Sequence, residues 1–220
     1  MTLSGIGRMV FGAAAVLYGV VELMLHHTIV ASCLGIAQAI AGIGMLYPRT
    51  TPVASVALGI VYAFFALDTI PGIVRAPSSY VQYGNFFEQF CLFCGAIAAY
   101  GSAVLGRIAR IGIGLCAASF GIEQIVYLQF TASLVPTWIP PGQVFWTDLT
   151  TGAFLLAAIA ILINRRARLA LRLMSVMVAL FGVLVWIPHI VAKPDSLGNW
   201  SEFAETCLIA GAAWLVADLA

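Results

Sequence analysis

The stretch Phe154-Leu155-Leu156-Ala157-Ala158-Ile159-Ala160-Ile161-Leu162-Ile163 decides the fold, because a helix built from it is apolar on every side. A helix at the surface of a soluble protein keeps a polar face with helical period. Hydrophobic residues make up 62% of the 220 positions and charged residues only 9%, whereas a soluble domain carries roughly 25% charged residues. The expected solvent for most of this surface is therefore lipid.

Proline, arginine and short polar loops divide the rest of the chain at near-regular intervals. The segments between them have the length of roughly 20 apolar residues that crosses a bilayer. The predicted fold class is all-α: a polytopic membrane protein with eight transmembrane helices. The predicted spans are roughly 7–27, 29–47, 53–74, 86–105, 111–130, 144–163, 169–191 and 201–219.

The basic residues predict the orientation of these spans, since cytoplasmic loops are enriched in Lys and Arg. With the N-terminus inside, only Arg75 and Lys193 fall on the outer side. Both termini are then cytoplasmic. The basic residues on the inner side are Arg8, Arg49, Arg107, Arg110, Arg165, Arg166, Arg168 and Arg172.

Two parts of the chain repeat one another. Four spans per copy is an even number, so both copies cross the membrane in the same direction, as parallel repeats. We expect a first four-helix repeat over 1–106 and a second over 107–220. The matched pairs include Arg8 with Arg110, Gly12 with Gly114, Gly19 with Gly121, Ile70 with Ile187, Pro71 with Pro188, Gly84 with Gly198, Glu88 with Glu202, Cys91 with Cys207 and Gly95 with Gly211.

Acidic and aromatic residues predict where a site lies. With this orientation, most carboxylates fall in the outer halves of the spans, and ionisable groups inside a membrane are costly unless paired or functional. Glu22 and Glu123 are followed by further apolar residues in their helices, which favours a buried, hydrogen-bonded role that is either functional or a structural contact between helices. For carboxylates near loops, a drift of acidic residues to the outer surface is an equal alternative. The further candidates for holding a cofactor on this side are Asp68, Asp148, His189 and Trp146.

Glu22 and His26 are four residues apart and share one helix face, just before His27. Such a pair could relay protons, ligate a metal or hold a quinone head group. A metal site needs three or more converging ligands, and the remaining imidazole, His189, lies in the other repeat. We therefore expect no metal or haem. A net charge of +1 offers no basic face for nucleic acid, so the lipid bilayer is the expected partner.

Cys91 and Cys94 form a Cys-Leu-Phe-Cys motif that the predicted topology places near the outer end of the fourth span. This spacing at a helix N-terminus is found in thiol pairs that exchange disulfides, and the outer compartment is oxidising. Plain packing of buried cysteines is the alternative. The proline-rich segment 134–143 is predicted to form a lid or re-entrant turn on the outer interface.

The second repeat resembles the DoxX-like family of bacterial membrane proteins. The resemblance rests on Phe120-Gly121-Ile122-Glu123, on Val135-Pro136-Thr137-Trp138-Ile139-Pro140, on the arginine-rich turn at 165–168 and on Pro188. Gln124 stands where many such sequences have His. The family has a four-helix unit, so this chain looks like a fused double version. The resemblance implies the bacterial inner membrane and redox chemistry linked to quinones or thiols.

These observations lead to one main hypothesis and two alternatives. The main hypothesis is a quinone- or thiol-linked redox protein, or a subunit of a redox complex, with its site in the outer half. Glu22, His26 and Glu123 would handle protons, and Cys91 with Cys94 would carry electrons. The alternatives are a non-enzymatic accessory subunit of a membrane complex and a carrier or binder of a small lipophilic molecule, so whether the chain is an enzyme stays open.

Overall fold

A computed structural model describes residues 5–26 and 28–220, so residues 1–4 and His27 lie outside the described part. Over the described residues the chain is all-helical. In lipid a helix satisfies every backbone hydrogen bond within its own segment, which explains why apolar sequence adopts this form. The helices are α1 (Gly5–Leu25), α2 (Ile29–Leu46), α3 (Thr51–Arg75), α4 (Tyr80–Ala99), α5 (Ala103–Val126), α6 (Leu128–Leu134), α7 (Gln143–Leu162), α8 (Ala167–Phe181), α9 (Ile187–Ala192) and α10 (Leu197–Leu219).

Within the described residues, six helices are long and apolar enough to cross a membrane, so the chain is a multi-pass membrane protein. These six are α1, α2, α3, α5, α7 and the continuous segment Ala167–Ala192. Two further long helices, α4 and α10, do not reach that level of hydropathy, because they carry several polar and acidic side chains.

The segment Ala167–Ala192 contains a turn of π-helix, Gly182–Trp186, that joins α8 to α9 without a break. A π-turn holds one residue more than a regular α-helical turn and is common at functional sites. The sequence pattern predicts a single regular span over 169–191 and gives no sign of it.

The fifth helix begins earlier than its predicted start near residue 111. The basic pair Arg107 and Arg110 predicts a loop, but both residues lie inside α5. The Arg110 guanidinium bonds the Ile161 carbonyl near the end of α7. An arginine near a helix end can direct its charge to such a carbonyl while its stem stays in apolar surroundings, so the helix need not stop.

The packing places α4 and α10 at the centre. Helix α10 contacts α1, α4 and α8, and α4 contacts α3 and α5 as well. The other close pairs are α1 with α2, α2 with α3, α5 with α7 and α7 with α8. Since their neighbours cover them, α4 and α10 can carry polar side chains at depths where a lipid-facing helix cannot.

Glycine brings α1 and α2 close together. A Cβ on Gly12 would lie 2.9 Å from the Gly42 carbonyl oxygen, and a Cβ on Gly42 would lie 2.8 Å from the Gly12 carbonyl oxygen. Small residues at such a contact let two backbones approach within a membrane, where dispersion drives helix association.

Candidate functional site

A cavity of about 510 Å³ opens at the end of the bundle that carries the 127–142 connection. Its walls come from α4, α5, α7, α8, the π-turn and α10, and α6 lies along its edge. A smaller cavity of about 240 Å³ adjoins it and shares Gln124, Phe181 and Trp186 with it. Ligand sites in proteins are commonly concave and mostly apolar with a few polar groups, and their volumes are roughly 300–1,000 Å³.

Three carboxylates line one side of the larger cavity. Glu88 comes from α4, Glu123 from α5 and Glu202 from α10. All three line the same cavity, so their carboxyl groups lie near one another. The Glu123 carboxyl occupies the space beside Gly84, where a Cβ would lie 2.7 Å from its Oε2 atom. The site therefore presents hydrogen-bond acceptors at its mouth.

Four aromatic side chains also line the cavity: Phe120, Phe154, Phe181 and Trp186. The Phe120 and Phe154 ring centroids are 5.6 Å apart in a T-shaped contact. Phe154 and Phe181 are 6.2 Å apart. Trp186, from the π-turn, lines both cavities. Such rings provide a flat apolar surface against which a ring-bearing molecule can stack.

Gln124 links α5 to α7 beside the cavity. Its Oε1 atom accepts hydrogen bonds from the Thr151 hydroxyl at 2.8 Å and from the Thr150 hydroxyl at 3.3 Å. These bonds occupy the amide oxygen, and the amide nitrogen remains the donor that this side chain can offer to a ligand.

The proline-rich segment 135–142 is not helical, as its prolines predict. It folds beside α7, where Gln143 Nε2 donates to the Val135 carbonyl at 2.5 Å and Trp146 Nε1 donates to the Pro140 carbonyl at 2.9 Å. Val135, Pro136 and Trp146 line the smaller cavity. Of the predicted cofactor-holding residues, Trp146 is thus at the site.

Glu22 and His26 form the pair that their spacing predicts. His26 Nε2 lies 3.4 Å from Glu22 Oε2. The Glu22 carboxyl also bonds Ser201 on α10. Neither Glu22 nor His26 lines the cavity that contains Glu123, so the structure places the proposed proton carriers in two places.

Cys91 and Cys94 lie past the middle of α4 rather than at its N-terminus. Both thiols are buried, and Cys116 of α5 lies beside Cys91. All three are free thiols in this structure. Thiols that exchange disulfides are usually partly exposed and close to positive charge, and this setting is neither.

Asp68, Asp148 and His189 are exposed and do not line either cavity. The His189 ring lies 5.7 Å from the Trp186 ring, and its Nδ1 atom is 2.7 Å from the Val185 carbonyl oxygen. His189 therefore lies against Trp186, which lines both cavities, without lining either cavity itself. Among residues 5–26 and 28–220, no three His, Cys, Asp or Glu side chains are placed to hold a metal ion.

Sequence reasoning did not select several residues of the site. Glu88 and Glu202 were the best marked, because they form one of the repeat pairs, but their closeness to loops gave equal weight to a surface role. Nothing in the apolar pattern distinguishes a cavity wall from a packed core. The other residues missed are Phe120, Gln124, Phe154, Phe181 and Trp186.

Comparison with known proteins gives no match to any family model, any curated protein or any solved structure.

Proposed function

We propose that the chain is a duplicated eight-span protein of a bacterial inner membrane, with both termini in the cytoplasm and two parallel four-helix halves. Its helices pack in matching pairs: α1–α2 corresponds to α5–α7, α2–α3 to α7–α8, and α3–α4 to α8–α10. The first helix of each half also packs on the last helix of the other, as α1–α10 and α5–α4. This is the pattern expected of two copies around an axis through the α4–α10 contact.

Matching hydrogen bonds support the duplication. Arg8 Nη1 donates to the Met45 carbonyl near the end of α2 at 2.6 Å. Arg110, its partner in the predicted repeat, donates to Ile161 near the end of α7. The pattern of burial agrees as well. The buried residues of α2 are Gly35, Gln38, Ala41, Gly42 and Met45. Each residue that lies 116 positions later in the chain belongs to α7 and is also buried.

The two central helices account for the spans that hydropathy does not identify. In the duplicated arrangement α4 and α10 are the fourth helix of each half, and each has neighbours from both halves. On these helices Glu88 and Glu205 are half-buried among those neighbours, whereas Glu202, at the cavity, is exposed. Helices of 20 and 23 residues have the length that a bilayer requires.

The proposed activity is the binding of a small, lipophilic, ring-bearing molecule in the cavity of the second half. The observation that carries the proposal is the pairing of an aromatic wall with a group of three carboxylates at one mouth. Carboxylates accept hydrogen bonds, so the preferred ligand offers donors. A quinol has two hydroxyl donors on a flat ring, which fits both walls.

On this proposal the protein is a quinone-linked redox protein or a subunit of a redox complex, as the resemblance to DoxX-like proteins implies. The residues that would hold the quinol are Glu88, Glu123, Glu202, Gln124 and Trp186. The carboxylates would accept hydrogen bonds from the two hydroxyl groups of the quinol. The thiol version has less support, because Cys91 and Cys94 are sealed in apolar surroundings away from the cavity.

Binding of a short-chain quinol to the purified protein in nanodiscs tests the proposal. Trp146 and Trp186 line the cavities, so decylubiquinol should quench tryptophan fluorescence in a saturable way. Glu123→Gln should weaken binding about tenfold, the cost of roughly one charge-assisted hydrogen bond. Asp148→Asn, an exposed carboxylate on α7 outside the cavity, is the matched control and should bind as the unmodified protein does.

The oxidised form provides a second comparison. Decylubiquinone has carbonyl acceptors where the quinol has donors, so it should bind more weakly to the carboxylate side. Equal binding of both forms, or equal weakening by Glu123→Gln and Asp148→Asn, would show that the carboxylates do not recognise the ligand. Absence of saturable quenching by either form would remove the quinol from the proposal.

A further inference from the structure

A cluster of polar side chains lies among α1, α2, α3, α4 and α10, apart from the lining of the cavity described above. Five helices each contribute one residue to it, and Gln38 and Tyr62 have no exposed surface at all. The five residues are Tyr18 from α1, Gln38 from α2, Tyr62 from α3, Gln89 from α4 and Glu205 from α10.

Gln89 is the centre of this cluster. Its Nε2 atom donates to Glu205 Oε1 at 2.6 Å and to the Tyr18 hydroxyl oxygen at 3.3 Å. The Tyr62 hydroxyl lies beside the Gln38 amide and within electrostatic reach of Glu205. The five polar ends therefore converge on one place between α4 and α10.

Several of the converging atoms lack a partner of normal hydrogen-bond geometry within the described residues. They are the oxygens Gln38 Oε1, Gln89 Oε1 and Tyr62 Oη, together with the nitrogen Gln38 Nε2. A buried polar atom left in this way costs roughly 1–3 kcal/mol. Three of the four are oxygens, so the group that meets them must be mainly an electron-pair acceptor or a hydrogen-bond donor.

The cluster also lacks a positive charge. Within residues 5–26 and 28–220, the ion pairs are His26 with Glu22 and Arg172 with Asp218, and neither reaches Glu205. The carboxyls that act on Glu205 add further negative charge; these are Glu22, Glu88 and Glu202. A buried carboxylate without a neutralising partner is strongly disfavoured.

We propose that this cluster binds one Na⁺ ion. A hard cation takes oxygen ligands, and the oxygens of Tyr18, Gln38, Tyr62 and Gln89 with the Glu205 carboxylate give five neutral or anionic candidates with one formal charge among them. Transporters also hold Na⁺ between helices, with backbone carbonyls of unwound segments as ligands, and here side-chain oxygens would take that role. A water on the ion would accept from Gln38 Nε2.

The second half does not repeat this chemistry. At the positions that correspond to Tyr18, Gln38 and Tyr62 by the matched burial of the helices, it has Phe120, Phe154 and Val178, which are also buried. One half is thus polar at its centre, and the other is apolar at its centre. None of the five residues of the Na⁺ site lines the second-half cavity, although the cavity carboxyls Glu88 and Glu202 act on Glu205.

The test is the dependence of thermal unfolding on Na⁺, with the purified full chain in nanodiscs. NaCl is exchanged for N-methyl-D-glucamine chloride at constant ionic strength. The melting temperature should rise with Na⁺ and by a few degrees at about a hundredfold excess over Kd. Dialysis against ²²Na⁺ should give one saturable site per chain.

Variants identify the site. Glu205→Gln should abolish the Na⁺ dependence and ²²Na⁺ binding, and Tyr62→Phe, which removes a single oxygen, should raise Kd about tenfold. Asp68→Asn, an exposed carboxylate on α3, should change neither measurement. A melting temperature that does not change when N-methyl-D-glucamine replaces Na⁺ would overturn the proposal. Unchanged ²²Na⁺ binding in Tyr62→Phe and Glu205→Gln would overturn it as well. If Glu205→Gln does not fold, Tyr62→Phe and Gln38→Leu decide the matter.

Discussion

Gly84 leaves the space that the Glu123 carboxyl occupies at the mouth of the cavity. Gly84 makes room for this carboxyl only because glycine has no Cβ, and it contributes no polar group of its own side chain. The predicted repeat partner of Gly84 is Gly198, near the start of α10, where the nearest atom to an added Cβ is Ser196 Oγ at 3.9 Å. Two glycines that look equivalent in the sequence therefore differ in what a methyl group would meet.

Gly84→Ala should displace the Glu123 side chain and weaken decylubiquinol binding about tenfold, while the chain keeps all its charges. The Glu123 carboxyl is the end of a flexible side chain, so the protein should still fold. Gly198→Ala is the control and should bind normally, since its methyl group meets open space. Fluorescence titration measures both. Normal binding by Gly84→Ala would mean that the position of Glu123 is unimportant for the ligand.

The guanidinium groups of Arg8 and Arg110 act on two helix ends in the same way. Each donates to a carbonyl in the last turns of the next long helix, where intrahelical partners are missing. Arg8→Ala and Arg110→Ala should each lower the free energy of unfolding by about 1–3 kcal/mol, because a charged hydrogen bond is lost.

Unfolding by SDS titration measures this loss. Arg107→Ala, which removes an exposed charge one turn before Arg110, is the control and should change the free energy by less than about 0.5 kcal/mol. A large effect for one of Arg8 and Arg110 with none for the other would contradict their equivalence in the duplicated arrangement.

The π-turn at Gly182–Trp186 has no counterpart in α3, the helix that the proposed duplication matches with α8 and α9. Buried residues of α3 match buried residues of α8 that lie 116 positions later in the chain. Gln89 of α4 and Glu205 of α10 have the same separation. At Ile70 and Ile187, and at Pro71 and Pro188, the separation is one position larger. The second half thus has one additional residue, and the π-turn holds it. Because Trp186 belongs to this turn, the additional residue shapes the cavity wall.

Deletion of Val183, an exposed residue of the π-turn, should convert the turn to regular α-helix and leave the rest of the helix in place. The fold should survive, and decylubiquinol binding should fall at least tenfold because Trp186 changes its direction. Size-exclusion chromatography and fluorescence titration check the two parts. Deletion of Val56, an exposed residue of the regular helix α3, should instead rotate one part of the helix against its neighbours and prevent folding. If the protein without Val183 binds decylubiquinol as tightly as the unmodified protein, the π-turn does not shape the binding site.

The whole molecule has a basic end and an acidic end. The mouth of the cavity, with its carboxylates, lies at the ends of helices joined by the 76–79, 127–142 and 193–196 connections. The arginine-rich turn at 164–166 lies at the other end of α7. The positive-inside rule then predicts that the cavity opens away from the cytoplasm.

Cysteine labelling in intact cells tests this orientation. In a Cys33→Ala background, Arg75→Cys and Thr137→Cys should react with a membrane-impermeant maleimide from outside. Arg107→Cys and Arg165→Cys should react only after the cells are opened. The reverse pattern would place the cavity on the cytoplasmic side, and labelling of all four in intact cells would contradict a sealed bundle.

The amino-acid pattern was sufficient for the helical class, the membrane environment and five of the six apolar spans, which it placed within two residues of the helices. The predicted span 86–105 lies six residues later than α4 (Tyr80–Ala99), and the predicted start of α5 is eight residues late. Each of the correct predictions depends on local chemistry: apolar segments of spanning length, prolines that interrupt helices, and the glycines and arginines of the repeat. It was also sufficient to pair Glu22 with His26, since helical spacing fixes which side chains share a face.

The location of the sites depends on how the helices pack against one another. Glu88, Glu123 and Glu202 come from three helices, and no local pattern states that they meet. The same holds for Tyr18, Gln38, Tyr62, Gln89 and Glu205. An apolar helix fits many neighbours equally well, so sequence hydropathy does not choose between a packed wall and a cavity. Only the relative positions of α4, α5 and α10 make one half a cavity with an aromatic wall and the other a closed polar cluster.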